Sequence, residues 1–259
     1  MTPSEEFRAL HRMGAPLLLP NAWDHASAVA LAAAGFRAVG TTSLGVAAAA
    51  GKPDATGAAR AETVRLGRGL AARREALISV DIEGGFSDRP EDVGALAATL
   101  QQAGVVGVNL EDGRPDGTLT APALQCELIQ AVREAAPGLF VNARTDTHWL
   151  PGHEARMSSR AEAYQRAGAD GVFVPGLQDP RAIAELAAAL DIPLNILYSP
   201  DGLSVAALAE LGVRRVSCGS LLFRAALQAA VETARSVAHG GPLPAGAPSY
   251  TEVQHYFAR

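Results

Sequence analysis

A chain of 259 residues, 48% hydrophobic and 19% charged, is long enough for a large core in one α/β domain or two small ones. Its net charge of -5 and the absence of a basic stripe exclude nucleic acid as the partner and leave a small molecule as the default. Acidic Glu5 and Glu6 stand where a signal peptide needs basic residues, and charged residues interrupt every long apolar stretch. Two distant cysteines, Cys126 and Cys218, make no disulfide framework, so a cytoplasmic protein without membrane segments is expected.

Short apolar runs of β character alternate with longer Ala- and Leu-rich segments of helical composition, the pattern of a parallel sheet built from βα units. The spacing predicts strands over 17–20, 38–42, 77–81, 106–111, 139–144, 171–174, 193–197 and 215–219. Asp24 is the candidate cap of the helix after the first strand. Pro90 with Glu91 and Asp92 opens the helix after the third, and Asp179-Pro180 the helix after the sixth. A glycine four residues before a strand valine recurs at Gly35, Gly104, Gly168 and Gly212, each suited to the left-handed turn that ends a helix. Eight consecutive βα units predict a (β/α)8 barrel of the TIM type over residues 1–239 rather than an open doubly wound sheet. The helix predicted over 221–237 lacks a clear polar face, which implies cover on both sides and a subunit contact. Residues 240–248 read as a linker, and Ser249 with Glu252 as the capping box of a short last helix that packs on the barrel or a neighbour.

In such a barrel the active site lies at the C-terminal ends of the strands. Polar residues gather there: Thr41-Thr42-Ser43 on the second strand, Asp81 and Glu83 on the third, Glu111-Asp112 on the fourth, Asn142 and Arg144 on the fifth. On an extended backbone Asp81 and Glu83 point to one side and repel, so they require a shared proton, an arginine or a hard cation. The all-oxygen set suits Mg²⁺, with Mn²⁺ as the substitute ion. Two plainer readings stand beside it: an Asp81–Glu83 pair tied to Arg144 without metal, and a turn at Glu111-Asp112-Gly113, the preferred reading for Asp112. Arg144 has the planar fork for a substrate carboxylate, and the turn Thr42-Ser43-Leu44 can offer backbone N–H groups to an oxyanion. Together with a metal these groups would bind a 2-oxo acid and stabilise its enolate. Asn195, alone at the end of the seventh strand, is a substrate-contact candidate with a structural role as its alternative. Lys52, the single lysine, lies on a loop beside Pro53 and is poorly placed for Schiff-base chemistry.

These motifs resemble the isocitrate lyase/phosphoenolpyruvate mutase superfamily over residues 18–239. They are Thr42-Ser43-Leu44, Gly51-Lys52-Pro53-Asp54, Asp81-Ile82-Glu83-Gly84-Gly85, Asn109-Leu110-Glu111-Asp112 and Asn142-Ala143-Arg144-Thr145-Asp146. The resemblance implies a barrel that exchanges its eighth helix with a neighbouring subunit in a homotetramer, a dimer of dimers. It implies Mg²⁺ bound through Asp81 with Glu83 and Glu111 holding its waters, and a 2-oxo-carboxylate meeting the metal, the amides near Ser43 and Leu44, and Arg144. Asp54, on a loop near the substrate, joins Arg144 and Glu111 as a catalytic candidate. Two departures narrow the activity. Where the bond-cleaving lyases carry Lys-Lys-Cys-Gly-His, this chain reads Gly113-Arg114-Pro115-Asp116-Gly117-Thr118, which argues against isocitrate or methylisocitrate cleavage. Where relatives end the sixth strand in Glu or His, it has Val174-Pro175-Gly176. The implied function is a Mg²⁺-dependent lyase, C–P hydrolase or mutase acting through an enolate on a 2-oxo acid or dicarboxylate of oxaloacetate to 2-oxoglutarate size. A catalytically degenerate 2-oxo acid binder and a metal-dependent pyruvate-type aldolase are the alternatives.

Overall fold

A computed structural model describes residues 1–243 and 246–258. The chain runs α1 (Pro3–Leu10), β1 (Leu17–Leu19), β2 (Asn21–Ala22), α2 (His25–Ala33), β3 (Ala38–Thr41), α3 (Ser43–Ala49), α4 (Arg60–Arg73), β4 (Leu77–Asp81) and α5 (Pro90–Gln102). It continues with β5 (Gly107–Glu111), α6 (Pro122–Ala135), β6 (Phe140–Arg144), 3₁₀ turns at Asp146–His148 and Glu154–Arg156, α7 (Met157–Arg166), β7 (Gly171–Val174) and α8 (Pro180–Ala189). The last elements are β8 (Leu194–Leu197), α9 (Val205–Glu210), β9 (Arg215–Ser217), α10 (Leu221–His239) and α11 (Tyr250–His255).

All strand pairs are parallel, in the order β1-β9-β8-β7-β6-β5-β4-β3-β2. The ring closes because the ladder breaks at Pro20, which has no N–H to give, and a second short strand, β2, follows beyond the predicted end of the first. β1 pairs with β9, and β2 pairs with β3. Asn21 stitches the seam: its Oδ1 accepts from the Cys218 and Gly219 N–H groups at 3.0 and 2.9 Å, and its Nδ2 donates to Thr41 O at 2.8 Å. Gly40 is required opposite, since a Cβ there would lie 2.7 Å from Asn21 Nδ2. Cys218 lies just past β9, not inside it.

The predicted junctions are present. Gly35, Gly104, Gly168 and Gly212 have φ of 95°, 95°, 100° and 90°, and Asp24 caps α2 by accepting from Ser27 N–H at 2.7 Å. Outward-facing strand residues such as Val39, Val80, Val108 and Val141 form the core with α4, α5 and α6. At the N-terminal end of the strands α1 closes the barrel, burying Phe7 and Leu10 against Leu19, Val106 and Phe140. His11 stacks on Phe140 at 4.2 Å, and burial pushes its imidazole down to about 3, so the ring is neutral.

Helix α10 leaves the barrel. Only Phe223, edge-on to Trp23, is buried, while Leu227, Val231 and Val237 are 53%, 46% and 66% exposed. The cover expected on both sides of this helix does not come from its own chain. The capping box at Ser249 and Glu252 starts α11 as read from the sequence, and the segment turns back to the end of α4, where Arg73 donates to Tyr256 O at 3.0 Å and sits over the Phe257 ring. Residues 244, 245 and 259 of the expected linker and tail lie outside the described residues.

Candidate active site

The C-terminal end of β4 carries the first two carboxylates. Asp81 is the last strand residue, and its N–H donates to Thr41 Oγ1 at 2.9 Å. Glu83 lies beyond the strand with φ +50°, so the alternation expected from an extended backbone ends at Asp81. The two groups converge through a turn instead. The Glu83 N–H donates to Asp81 Oδ1 at 3.2 Å, and Glu83 Oε2 accepts from Gly57 N–H at 2.8 Å, which latches the loop carrying Asp54 to the site. Glu83 Oε1 and Asp54 Oδ1 are buried with no partner.

The fork of Arg144 faces two other acids. Nη1 meets Glu111 Oε2 at 2.7 Å, Nε meets Asp146 Oδ1 at 2.6 Å, and the guanidinium lies 5.7 Å from the centre of the Phe173 ring. The arginine is therefore paired with Glu111 and Asp146, not with the Asp81–Glu83 pair. Asp112 is not turn chemistry alone. It is fully buried and accepts from Arg160 Nη1 at 2.9 Å, Tyr164 OH at 2.6 Å, Thr145 Oγ1 at 2.9 Å and Asp146 N–H at 2.8 Å. This hub fixes the backbone on which Asp146 holds Arg144.

Burial pushes Asp81, Glu111 and Asp146 above the usual carboxylate range, with Arg144 opposing the rise in each case. Burial raises Glu83 to about 7, opposed by the Gly57 N–H and assisted by Asp81 and Asp54. Burial opposes the charge of Arg144, but Glu111, Asp146 and Asp81 keep it protonated. Five carboxylates thus gather at this mouth, two of them paired with Arg144, and one oxygen each of Glu83 and Asp54 is left without a partner; such a set fits a cation. Among the described residues no three His, Cys, Asp or Glu side chains are close enough to be direct ligands of one ion. Mg²⁺, which keeps several waters and needs only one or two carboxylates, does not require such a group.

A cavity of about 320 Å³ opens at this mouth, lined by Ser43, Asp54, Glu111, Arg114, Arg144 and Asp146 among others, and Glu83 lines an adjoining one of about 220 Å³. Where a turn was expected after Thr42, the short helix α3 begins, so the N–H groups of Ser43 and Leu44 in its first turn have no carbonyl partner within the helix. Thr42 itself is buried, its N–H donating to Ala22 O at 3.0 Å. Asn195 is not brought to the mouth: it faces the barrel interior and donates to Ser217 Oγ at 3.0 Å. Lys52 pairs with Glu62 at 2.8 Å and does not line the cavity. A larger cavity, about 760 Å³, lies at the opposite end by Arg8, His11 and Arg214, remote from the carboxylates.

Sequence reading gave no individual role to three residues, although Asp146 ends one of the family motifs and Arg114 lies in the segment that replaces the lyase loop. Asp146 stands in a 3₁₀ turn past the strand end, outside any strand alternation. Arg114 sits in a loop with no periodic signal. Arg215 is fully buried inside the barrel, donating to Asn109 Oδ1 at 3.1 Å and Ser217 Oγ at 3.3 Å, with Nη1 unpartnered, and burial pushes it down to about 9. Its signal was a charge in phase with Ser217, on a strand whose intervening residue is apolar.

The family model described as phosphoenolpyruvate phosphomutase matches residues 7–238. An uncharacterized protein of Mycobacterium tuberculosis (strain ATCC 25618 / H37Rv) is 46% identical over 250 residues, which cover 96% of this chain and 94% of that one. The 2-methylisocitrate lyase of Bacillus subtilis (strain 168) is 32% identical over 198 residues, covering 73% of this chain and 64% of the lyase. A Burkholderia cenocepacia J2315 structure, provisionally described as a phosphonomutase, superposes with a TM-score of 0.85 at 37% identity, over 90% of this chain and 99% of that one. The structure of a phosphonopyruvate hydrolase complex with oxalate and Mg²⁺ shares the fold with a TM-score of 0.86 at 24% identity, over 99% of this chain and 95% of that one.

Proposed function

The chain belongs to the phosphoenolpyruvate phosphomutase family, in the isocitrate lyase/phosphoenolpyruvate mutase superfamily, and on that premise we propose that it is a Mg²⁺-dependent enzyme making or breaking a C–C or P–C bond beside a small 2-oxo acid. The observation that carries the proposal is the cluster of five buried or half-buried carboxylates around Arg144, with partnerless oxygens on Glu83 and Asp54. Asp81 would hold the ion, with Glu83 and Glu111 turned to its waters. Bound there, Mg²⁺ supplies positive charge to polarise a 2-oxo group. The oxalate and Mg²⁺ named for the phosphonopyruvate hydrolase complex, and the lyase activity named for the Bacillus subtilis relative, agree with this chemistry.

The chain's own residues would bind and orient the acid. Arg144 spends Nε on Asp146 and Nη1 on Glu111, which fixes the plane of its fork and leaves Nη2 for a substrate carboxylate. The first-turn N–H groups of Ser43 and Leu44 are donors for an enolate oxygen. Asp54, half-buried in the cavity wall with one partnerless oxygen, is positioned to move a proton. Trp149 and Leu150 give the same wall an apolar stretch. The cavity lining contains no His or Cys, which favours one second reading, a 2-oxo acid binder without turnover. Lys52, paired with Glu62, supports no Schiff-base aldolase. The apolar face of α10 fits exchange of that helix between subunits of a homo-oligomer, and a cytoplasmic location fits the composition.

Incubating the protein with Mg²⁺ and a panel of oxaloacetate, phosphonopyruvate and methyl-substituted malates, with products read by NMR, tests the enzyme reading. Turnover of at least one acid that stops with EDTA is expected. Binding of Mg²⁺ and oxalate with every acid intact would replace the enzyme with the binder, and no binding at all would remove both.

A further inference from the structure

Arg215 is a buried cation that the site described above leaves without a use. The other two buried arginines are matched by acids, Arg144 by Glu111 and Asp146, and Arg160 by Asp112. Arg215, 1% exposed, is not. Its hydrogen bonds go to neutral groups alone, Nη2 to Asn109 Oδ1 and Nε to Ser217 Oγ, and among the described residues Nη1 has no partner. Both neutral groups are satisfied without it. Asn109 Oδ1 also accepts from Asn142 Nδ2 at 2.9 Å, and Ser217 Oγ accepts from Asn195 Nδ2 at 3.0 Å and donates to Asn195 Oδ1 at 3.2 Å. A buried charge without an opposite charge beside it costs stability, so the hydrogen bonds of Arg215 do not account for its presence.

Its place in the barrel does. Arg215 is the first residue of β9, and its side chain crosses the interior to Asn109 on β5. Asn109 is the register partner of Asp81, the last residue of β4, and residues in register on neighbouring parallel strands point to the same face. The guanidinium therefore ends in the polar layer next to Asp81, and Asp81 is the acid that favours its charged form. Above it stand the five carboxylates of the mouth, of which Arg144 pairs with two. In a barrel interior that excludes water, the field of an unpaired charge is weakly screened and reaches past its own hydrogen bonds.

Building on the proposed 2-oxo acid site, we infer that Arg215 is a positioning residue of that site, a buried counter-charge that offsets its carboxylates from inside the barrel so that an anionic acid can bind beside them. Arg215 touches neither the ion nor the acid. It acts through its charge, which opposes the cation and favours the anion, and its bonds to Asn109 and Ser217 hold that charge in place.

Calorimetry at about pH 8 tests it by measuring Kd for Mg²⁺ alone and then for oxalate with Mg²⁺ saturating. The proteins are wild type, Arg215→Lys and two neutral variants, Arg215→Met and Arg215→Gln, each checked for folding by thermal unfolding. Loss of a positive charge acts with opposite sign on the two ligands, which a disturbed fold does not imitate. A neutral variant is expected to bind oxalate about tenfold more weakly or worse while it binds Mg²⁺ as tightly as wild type or tighter. Arg215→Lys keeps the charge and should hold oxalate within about threefold of wild type. If the neutral variants weaken both ligands or neither, or if Arg215→Lys loses oxalate as fully as they do, this inference is overturned and the proposed function stands. Failure of both neutral variants to fold would make Arg215 a framework residue and overturn the inference as well. If wild type binds neither Mg²⁺ nor oxalate, the proposed function fails and this inference with it.

Discussion

Replacing Asp112 with Asn perturbs the support of the candidate site without touching its mouth. The carboxylate is fully buried and accepts four hydrogen bonds, three at Oδ2 from Arg160, Tyr164 and Thr145 and one at Oδ1 from the Asp146 N–H. An Asn side chain has one acceptor oxygen, so its NH₂ must confront either the Asp146 N–H or the three donors. Arg160, 3% exposed, loses its carboxylate partner at 2.9 Å. Removing one member of a buried ion pair costs about 3–5 kcal/mol. A buried donor left unsatisfied costs about 1–3 kcal/mol, and the two losses overlap because they share one carboxylate. A net loss of about 4 kcal/mol is therefore expected, a large part of the roughly 5–15 kcal/mol typical of a folded domain. Urea unfolding at pH 7 without Mg²⁺ measures it. The double variant Asp112→Asn/Arg160→Met should recover at least half of the loss, because no lone charge stays buried. A single-variant loss under about 1 kcal/mol, or a double variant as unstable as the sum of its parts, would refute the hub.

Gly113→Ala places a Cβ inside the van der Waals envelope of Asp146 Oδ2 and 3.0 Å from its Cγ, so the carboxylate must leave Arg144 Nε. The expected result is a loss of oxalate affinity of about tenfold or more with stability reduced by about 1–3 kcal/mol, both readable from one calorimetric and one thermal series; unchanged affinity would mean that Asp146 does not set the Arg144 fork. His11 titrates at about 3 in the fold against 6.5 free, so the folded state binds fewer protons between these values. Its stabilisation is fully present above about pH 6.5 and is lost as the pH falls toward 3, an effect on the order of a few kcal/mol. His11→Phe should flatten the denaturation midpoint across that window, and an unchanged slope would show that the ring is protonated in the fold.

Most of the barrel was legible because its signals are local and repeated. The glycines at 35, 104, 168 and 212 adopt the left-handed turns their spacing implied, and Asp24, Asp179 and Ser249 cap the helices they precede. The split at Pro20 was less visible, since closing the ring depends on β9, almost 200 residues away. At the site, the strand-end positions of Asp81, Glu111 and Arg144 followed from periodicity. The alternation argument did not survive at Glu83, whose left-handed backbone turns it toward Gly57. Asp112 sits beside Glu111 in the sequence, yet it serves the framework through Arg160 and Tyr164, which only tertiary packing brings to it. Asn195 shows the same limit in reverse: a polar residue in β8 points into the barrel and is satisfied there by Ser217.

The central claim, that the excess of buried carboxylates is a cation site serving a 2-oxo acid, is tested most directly by thermal unfolding of wild type and Asp81→Asn at pH 7, with and without Mg²⁺ and oxalate. Burial pushes the Asp81 carboxyl upward, opposed by Arg144 and assisted by Asp54 and Asp146, so the neutral side chain should raise the midpoint of the metal-free protein. Mg²⁺ with oxalate should raise the midpoint of wild type in a concentration-dependent way and leave Asp81→Asn unmoved. Equal shifts in both proteins, or none in wild type, would contradict the account.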